Sequence, residues 1–253
     1  MAKKASKNKK NKRTEIVIPQ LNYELKFRER KFKFTEKQQE LLKILMEDKT
    51  KIAFIAGPAG TSKTFMAVYA ALNLIKESEK EIIYVRTIIE SGEKSLGSLP
   101  GTVNEKFQPF LQPLEDKIYE IIEAVDANRL KEDGRISAIP VNFLRGSTLS
   151  DKIIIADEVQ NFTHKEITTL ITRIGSGSKI FLCGDFMQSD LRGFNGFVDF
   201  FDLFSDTESG QNGIFTFKFS EEDIKRSEIL KFIVKKIEKK LNEQKRPKNL
   251  NIK

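Results

Sequence analysis

The fold of this 253-residue chain is decided by one stretch, Lys51-Ile52-Ala53-Phe54-Ile55-Ala56 followed by Gly57-Pro58-Ala59-Gly60-Thr61-Ser62-Lys63-Thr64. Its first part is mostly apolar and predicts a buried strand, and a helical pattern, Lys63–Lys76, follows the loop. The loop matches the pattern G-x-x-x-x-G-K-[ST] except at Ser62. Such a loop is typical of phosphate binding, because its backbone N–H groups and the helix dipole face the anion. The stretch predicts an α/β protein whose residues Gly57 to Thr64 contact a nucleotide.

Three residues of this loop carry the predicted chemistry. Lys63 is expected to neutralise the β- and γ-phosphates, and Thr64 to place its hydroxyl on Mg²⁺. Ser62 stands where glycine is usual, and glycine permits close approach of the backbone and unusual dihedral angles. A serine is compatible with the loop if the backbone there is helical. Ser62 favours nucleotide binding over fast turnover, and a chance glycine-rich turn stays the alternative for the loop taken alone.

A second apolar run, Lys152–Ala156, ends in the acids Asp157 and Glu158. Two carboxylates at the end of a buried strand are costly unless a cation compensates them. Asp157 is therefore predicted to hold Mg²⁺, directly or through water, and Glu158 to activate the attacking water. The alternative is a pair of helix caps before Val159. Asp157 follows Thr64 by 93 residues, with two predicted strands between them, which favours the catalytic interpretation.

A third apolar run, Lys179–Cys183, leads into Gly184-Asp185-Phe186-Met187-Gln188. An amide at this place can touch the γ-phosphate and its water, so Gln188 is predicted to sense hydrolysis and report it to neighbouring loops. An exposed loop amide is the alternative, and it is the better interpretation of Gln188 taken alone.

Strands and helices alternate along the rest of the chain. Further strands are predicted at Glu81–Arg86, Pro140–Leu144 and Gly213–Phe219, and helices at Thr35–Glu47, Val103–Ala127, His164–Ile174 and Glu221–Asn242. Thr35 is the expected N-cap of the first helix, and Ser205–Asn212 is expected to be an exposed loop. This alternation predicts a RecA-like P-loop fold, a three-layer α/β/α arrangement with a mostly parallel sheet. We expect one such domain at 14–242, a disordered basic tail at 1–13 and a basic C-terminal tail at 243–253.

Basic residues are concentrated at the two ends of the chain. Residues 1–13 hold seven Lys or Arg and no acid, and residues 231–253 hold nine Lys or Arg and two acids. Of the chain's 44 basic and 36 acidic residues, 28 and 34 remain between these ends, so the middle carries a net charge of −6. The ends are solvated tails in one interpretation and an arm for nucleic-acid phosphates in the other. The sequence leaves both interpretations open.

Composition excludes several classes of protein. No apolar run approaches the roughly 20 residues that a membrane-spanning helix needs, and no apolar stretch follows the basic N-terminus as in a secretory signal. Cys183 is the only cysteine and His164 the only histidine, so an internal disulfide and a Cys/His zinc site are excluded. Cys183 is expected in the core and His164 at a helix start. We expect a cytoplasmic protein that does not bind membranes.

Taken together, these blocks resemble the PhoH family, which is similar to the ATPase core of superfamily 1 helicases, over about Thr35 to Phe232. The resemblance implies ATP binding and Mg²⁺-dependent hydrolysis, with Gln38 contacting the base and nucleic-acid unwinding suspected. Short chains of this form also resemble those of tailed phages. Besides the loop at 57–64, the matching blocks are Thr35-Glu36-Lys37-Gln38, Arg86 with Glu90–Lys94 and Gly97–Gly101, Arg145–Leu149, Asp157–Asn161, Thr172–Gly175 and Gly184–Leu191.

One family pattern is altered near the C-terminus, where Asp-x-x-Arg-His reads Asp223-Ile224-Lys225-Arg226-Ser227. Phosphoryl transfer commonly needs an arginine to neutralise the γ-phosphate. Because the chain is too short for a second RecA-like core, we expect that arginine from a neighbouring subunit of a homo-oligomer, for example a hexameric ring. Arg226 is the first candidate through the resemblance, followed by Arg173 and Arg145, and surface salt bridges are the alternative for all three.

Single-stranded nucleic acid, with RNA preferred over DNA, is the expected partner. Its predicted contacts are the basic ends and the Arg86–Gly101 segment, which follows a strand where α/β sheets bind ligands. Phe107 and Phe110 stack on bases in one interpretation and pack in the core in the favoured one. The competing function is a nucleotide-binding switch or assembly module with little turnover, which Ser62 favours. A small-molecule kinase is disfavoured by the Asp157-Glu158 pair.

Overall fold

The computed structural model describes residues 27–76, 78–87, 103–144, 146, 148–188, 196–225 and 228–245. For 103–110, 238 and 241–245 only the backbone is described. The predicted tail at 1–13, residues 246–253 of the C-terminal tail, Arg145, Arg226 and most of the Arg86–Gly101 segment lie outside these residues. So do the side chains of Phe107 and Phe110.

The core is a six-stranded sheet in which every pairing between neighbouring strands is parallel. Its strands are β1 (Ile52–Ala56), β2 (Glu81–Arg86), β3 (Ile136–Pro140), β4 (Lys152–Ala156), β5 (Lys179–Gly184) and β6 (Ile214–Lys218). The apolar runs form the central strands, because strands buried on both faces lack the alternation of half-exposed ones. The order of the strands across the sheet is β3-β2-β4-β5-β1-β6.

Helices cover both faces of the sheet and confirm the predicted three-layer fold. Alternate residues of β1 point to opposite cores: Ala53 and Ile55 pack with α1 to α4, and Phe54 packs with α5 and α6. The helices are α1 (Glu36–Met46), α2 (Lys63–Lys76), α3 (Val103–Ile121), α4 (Ala124–Glu132), α5 (His164–Ile171), α6 (Gly196–Leu203), α7 (Thr207–Gln211) and α8 (Glu228–Lys245).

Strand register brings the predicted motifs to one edge of the sheet. Ala56 of β1 pairs with Gly184 of β5, and Ala156 of β4 pairs with Leu182 of β5. Because the strands are parallel, the segments that follow them emerge at the same carboxyl edge. β5 lies between β1 and β4, so the loop after β5 emerges from the sheet between the strand that leads to the phosphate loop and the strand that leads to the acidic pair.

Several predicted elements have different boundaries in the structure. The strand predicted at Pro140–Leu144 is wrong: the strand is Ile136–Pro140, and Val141–Leu144 is a 3-10 turn. Val141 and Leu144 are both buried, and a spacing of three residues places them on one side of such a turn. The helix predicted at Val103–Ala127 ends at Ile121, and α4 begins after Glu123.

The region after β5 contains helices that the sequence did not predict. α6 buries Phe197, Phe200 and Phe201 against the sheet, so these side chains belong to the core. α7 lies within the predicted loop and is capped by Asp206, whose carboxylate accepts from the Ser209 N–H. The helix predicted from Glu221 starts as a 3-10 turn, 221–223, before α8.

Three local predictions are confirmed. Thr35 caps α1, and a reciprocal contact with Gln38 completes a capping box. His164 is the first residue of α5, and Cys183 is fully buried in β5, where burial raises the pKa of its thiol. Among the described helices, none combines the length and apolar character that a transmembrane segment needs.

Gly184→Ala tests how closely α6 packs on the end of β5. A Cβ at Gly184 would lie 2.5 Å from the Phe197 ring, so the variant is expected to lose about 1–3 kcal/mol of unfolding free energy through overpacking. Urea denaturation measures the change. Gly210→Ala is the matched control, because its nearest neighbour would be 3.8 Å away and alanine suits a helix better. Equal stability of the two variants would contradict the packing described here.

Candidate functional site

The phosphate loop is held by its own side chains. The Lys63 ammonium, at the start of α2, donates to the carbonyl oxygens of Gly57 at 2.6 Å and Pro58 at 3.0 Å. The Thr61 hydroxyl also donates to Pro58 O, at 2.9 Å. These contacts curl the loop around the lysine side chain.

Close packing against β6 explains the first glycine of the loop. A Cβ at Gly57 would lie 2.7 Å from Phe219 Cβ, so no larger residue fits without displacing that backbone. Phe219 N donates to Ala56 O at 2.8 Å, and Lys225 N donates to Gly60 O at 3.1 Å. The segment after β6 therefore forms one side of the loop.

Ser62 has a left-handed backbone, with φ 67°. The backbone of Ser62 is therefore not in the right-handed helical conformation that serine adopts readily. It has the left-handed conformation that glycine favours. Glu158 shares this feature, with φ 54°. Two strained residues thus flank the site, as is common where a backbone is held for function.

Ser62→Gly is expected to stabilise the protein by about 0.5–1 kcal/mol. Removing the Cβ relieves roughly 1–2 kcal/mol of left-handed strain, and part of that gain is offset by the larger freedom of glycine in the unfolded chain. Chemical denaturation measures the difference. Ser176→Gly is the control, because Ser176 is exposed and has no positive φ, so glycine there should be neutral or destabilising. A Ser62→Gly protein less stable than wild type would argue against strain.

Asp157 is joined to the phosphate loop and to the core. The Thr64 hydroxyl donates to its Oδ1 at 2.7 Å, and the Tyr84 hydroxyl donates to its Oδ2 at 2.6 Å. Asp157 is 7% exposed and Tyr84 is 1% exposed. Burial, followed by the charge of Asp157, raises the pKa of Tyr84, so the phenol stays protonated and acts as a donor. In the sequence Tyr84 looks like an ordinary strand residue, and no local pattern marks it as part of the site.

The chemistry of Thr64 and Asp157 fits Mg²⁺. The Thr64 hydroxyl donates its hydrogen bond to Asp157, so its oxygen lone pairs remain for a cation, and Mg²⁺ prefers hard oxygen ligands of this kind. Within the described residues no group of three or more His, Cys, Asp or Glu could hold a metal by itself. Mg²⁺ usually takes one or two protein oxygens and completes its shell with phosphate and water.

Glu158 is linked to the loop after β5 through Gln160. The Gln160 amide donates to Glu158 Oε2 at 2.6 Å, and its oxygen accepts from Asp185 N at 3.0 Å. Gln160 is 1% exposed, so its amide is fixed between the two. Glu158 precedes a 3-10 turn, but its side chain makes no capping hydrogen bond, which argues against the helix-cap alternative for Glu158.

A cavity of about 370 Å³ opens over the loop. Its lining includes Gln188, whose side chain is exposed. Two side chains of α3, Lys117 and Glu120, also line the cavity, and no sequence motif marks them. Burial lowers the pKa of Lys63, while the carboxylate of Asp185, among others, acts in the opposite direction. The remaining lining residues are Ala59, Gly60, Ser62, Lys63, Thr64, Phe65, Asp157, Glu158, Cys183, Gly184 and Asp185.

Other predicted site residues lie farther away or serve the fold. Gln38 is buried, and its side-chain oxygen accepts from Thr35 N in the cap of α1. The Arg173 carbonyl accepts from Leu149 N, ahead of β4, so Arg173 lies at the amino edge of the sheet, opposite the loop. Its Nε is buried without a hydrogen-bond partner among the described residues. Arg226 is not described, but its neighbour Lys225 contacts the loop of the same chain.

Comparisons with curated proteins find similar chains in bacteria. A PhoH-like protein of Bacillus subtilis is 36% identical over 189 residues, which is 74% of this chain and 58% of that protein. A PhoH-like protein of Synechocystis sp. is 40% identical over 158 residues, covering 62% of this chain and 47% of the relative. The chain thus spans about half the length of the curated relatives it matches.

Solved structures with a similar arrangement include a Pif1 helicase from Candida albicans, with a TM-score of 0.38 and 17% identity over 75% of this chain and 40% of the helicase. The large terminase of a thermophilic bacteriophage gives a TM-score of 0.46 and 14% identity, over 81% of this chain and 50% of the terminase. The family model described as PhoH-like protein matches residues 32–238, most of the chain. On this match, together with the relatives above, the chain belongs to the PhoH family.

Proposed function

We propose that the chain binds ATP with Mg²⁺ and hydrolyses it. The observation that carries this proposal is the 2.7 Å contact from the Thr64 hydroxyl to Asp157, which ties the phosphate loop to the acidic end of β4. The phosphate loop, the carboxylates of Asp157 and Glu158, and the loop after β5 line one cavity. Membership of the PhoH family supports a nucleoside triphosphatase.

The proposed roles follow from the contacts. The Lys63 ammonium exchanges the carbonyl oxygens of Gly57 and Pro58 for β- and γ-phosphate oxygens. Thr64 binds Mg²⁺ directly and Asp157 holds it directly or through water. Mg²⁺, when bound, neutralises charge on the phosphates. The other loop residues, Gly57 to Ser62, contribute backbone N–H groups to the phosphates.

Glu158 is the proposed acceptor of the proton from the attacking water. The Gln160 amide holds one of its oxygens, which limits the directions in which the carboxylate can point. Gln188, which lines the same cavity, is proposed to contact the γ-phosphate side. The side-chain N–H group of Gln38 is proposed to donate to the nucleotide base, because the side-chain oxygen already accepts from Thr35 N.

Release of phosphate from ATP by the purified chain tests this function directly. The expected result is Mg²⁺-dependent turnover that EDTA abolishes. ATP binding without measurable turnover would instead support the second candidate, a nucleotide-dependent switch. The left-handed Ser62 is the observation that favours that candidate, because a strained phosphate loop can bind nucleotide without reaching a fast catalytic geometry.

Single-stranded nucleic acid is the proposed partner, with RNA preferred. The support is electrostatic: the exposed face of α8 carries Lys235, Lys236, Lys239 and Lys240, and further basic residues lie at the chain ends. Binding to a fluorescent oligonucleotide should weaken as salt is raised, since counterions are released on binding. No binding even at low ionic strength would remove this part of the proposal.

We propose that the chain forms a homo-oligomer, a ring of six subunits, in which an arginine of one subunit completes the site of its neighbour. Arg173 lies at the far edge of its own sheet, so it can serve only a neighbouring subunit. Arg226 follows a residue that contacts its own loop, which also allows a role within one chain. Light scattering combined with activity at several protein concentrations tests the ring, and full activity in a strictly monomeric protein would refute it.

A further inference from the structure

A single hydroxyl group is buried in the strand next to the acidic pair. Tyr84 lies in β2 between Ile83 and Val85, and its residue surface is 1% exposed. A phenylalanine would fill the same volume without bringing a polar group into the core. A buried hydroxyl is costly unless it is partnered, so its partner identifies its role.

That partner is the Asp157 carboxylate. Tyr84 donates to Oδ2 at 2.6 Å, in the range of a charge-assisted hydrogen bond. The adjacent residue, Val85, accepts from the Asp157 backbone N–H at 3.0 Å. Two consecutive residues of β2 thus fix both the backbone and the side chain of Asp157.

The two oxygens of Asp157 are held in different ways. Oδ1 accepts from Thr64, a residue of the phosphate loop. The surroundings of Thr64 would change when the loop binds a nucleotide. Oδ2 accepts from Tyr84, which belongs to the sheet and not to the loop. The tyrosine therefore gives the carboxylate a hydrogen-bond partner outside the loop.

We propose that Tyr84 is a positioning residue for the magnesium site: it holds Asp157 in the orientation in which Oδ1 serves Thr64 and the metal. This inference rests on the proposed function, because it assumes that Asp157 and Thr64 hold Mg²⁺. Partners that orient a metal ligand typically contribute a factor of about 10–100 to metal affinity. Tyr84 is thus part of the metal site although it never touches the metal.

Tyr84→Phe tests the inference through metal-dependent binding of a fluorescent nucleotide, mant-ATP, rather than through turnover. The concentration of Mg²⁺ that gives half of the metal-induced gain in affinity is expected to rise about 10- to 100-fold. Binding of mant-ATP in EDTA should stay unchanged, because the loop contacts are intact. An unchanged Mg²⁺ midpoint would overturn the inference.

Tyr69→Phe is the matched control, because its hydroxyl contacts Glu29 at 3.4 Å on the outer side of α2. Tyr84→Leu, a second variant without the hydroxyl, must shift the Mg²⁺ midpoint in the same direction. In an Asp157→Asn background, Tyr84→Phe should add no further shift, and an additive shift would show that Tyr84 does not act through Asp157. A wild-type protein without any Mg²⁺ response would reject the proposed function itself, whereas a normal wild-type response with an unshifted variant rejects only the role of Tyr84.

Discussion

Glu158→Gln is expected to lower the rate of phosphate release by a factor of about 10²–10⁴, while ATP still binds. The substitution keeps the size and the hydrogen-bonding shape of the side chain but removes its ability to accept a proton. The oxygen of the new amide can still accept from the Gln160 N–H group, so the local structure should persist. Single-turnover hydrolysis and mant-ATP binding, measured on the same sample, separate the two effects.

The control for this prediction is Glu208→Gln, which removes an exposed carboxylate from the first turn of α7, outside the cavity. Its turnover should match that of wild type. If Glu158→Gln retains more than about a tenth of the wild-type rate, then Glu158 is not the group that accepts the proton. Loss of binding together with turnover would instead point to a structural role for Glu158.

Lys63→Met is expected to weaken ATP binding by about 2–5 kcal/mol, or roughly 30- to 5,000-fold. Methionine retains most of the apolar stem but lacks the ammonium, which lies against the carbonyl oxygens of Gly57 and Pro58. The variant thus loses the cation for the phosphates and removes the ammonium donor from Gly57 O, whereas Pro58 O still accepts from the Thr61 hydroxyl. Equilibrium titration with mant-ATP measures the loss.

Lys231→Met provides the comparison, since Lys231 lies on α8 and pairs with Glu228 at the surface. It should bind mant-ATP as wild type does. Thermal unfolding of both variants guards against a simple loss of folding. A Lys63→Met protein within about threefold of the wild-type affinity would mean that the nucleotide does not use the phosphate loop.

The parts of the site that could be predicted from sequence are those set by local chain geometry. The phosphate loop, Asp157 and Glu158 each follow an apolar strand directly, so their position depends only on where that strand ends. Parallel pairing then brings the strand ends together without further information. The 2.7 Å contact between Thr64 and Asp157, 93 residues apart, is the result.

Residues that act through tertiary contacts could not be predicted in this way. Tyr84 sits in an apolar strand and Gln160 in a short turn, and nothing local shows that each contacts an acidic residue of the site. α6 was missed because its phenylalanines do not show by themselves whether they cover the sheet or a subunit contact. At Pro140, the predicted strand continued into the 3-10 turn, because that turn buries Val141 and Leu144, which are residue types also found in strands.

The Gln160 amide contacts two groups at once, and its two hydrogen bonds differ in strength. The bond to Glu158 spans 2.6 Å and involves a carboxylate, whereas the bond to Asp185 N spans 3.0 Å between neutral groups. When the glutamate turns, the amide should follow it and release the backbone of Asp185 first. A rotation of the Glu158 side chain is therefore expected to loosen the start of the 185–188 segment through the weaker of these bonds, the one to Asp185 N.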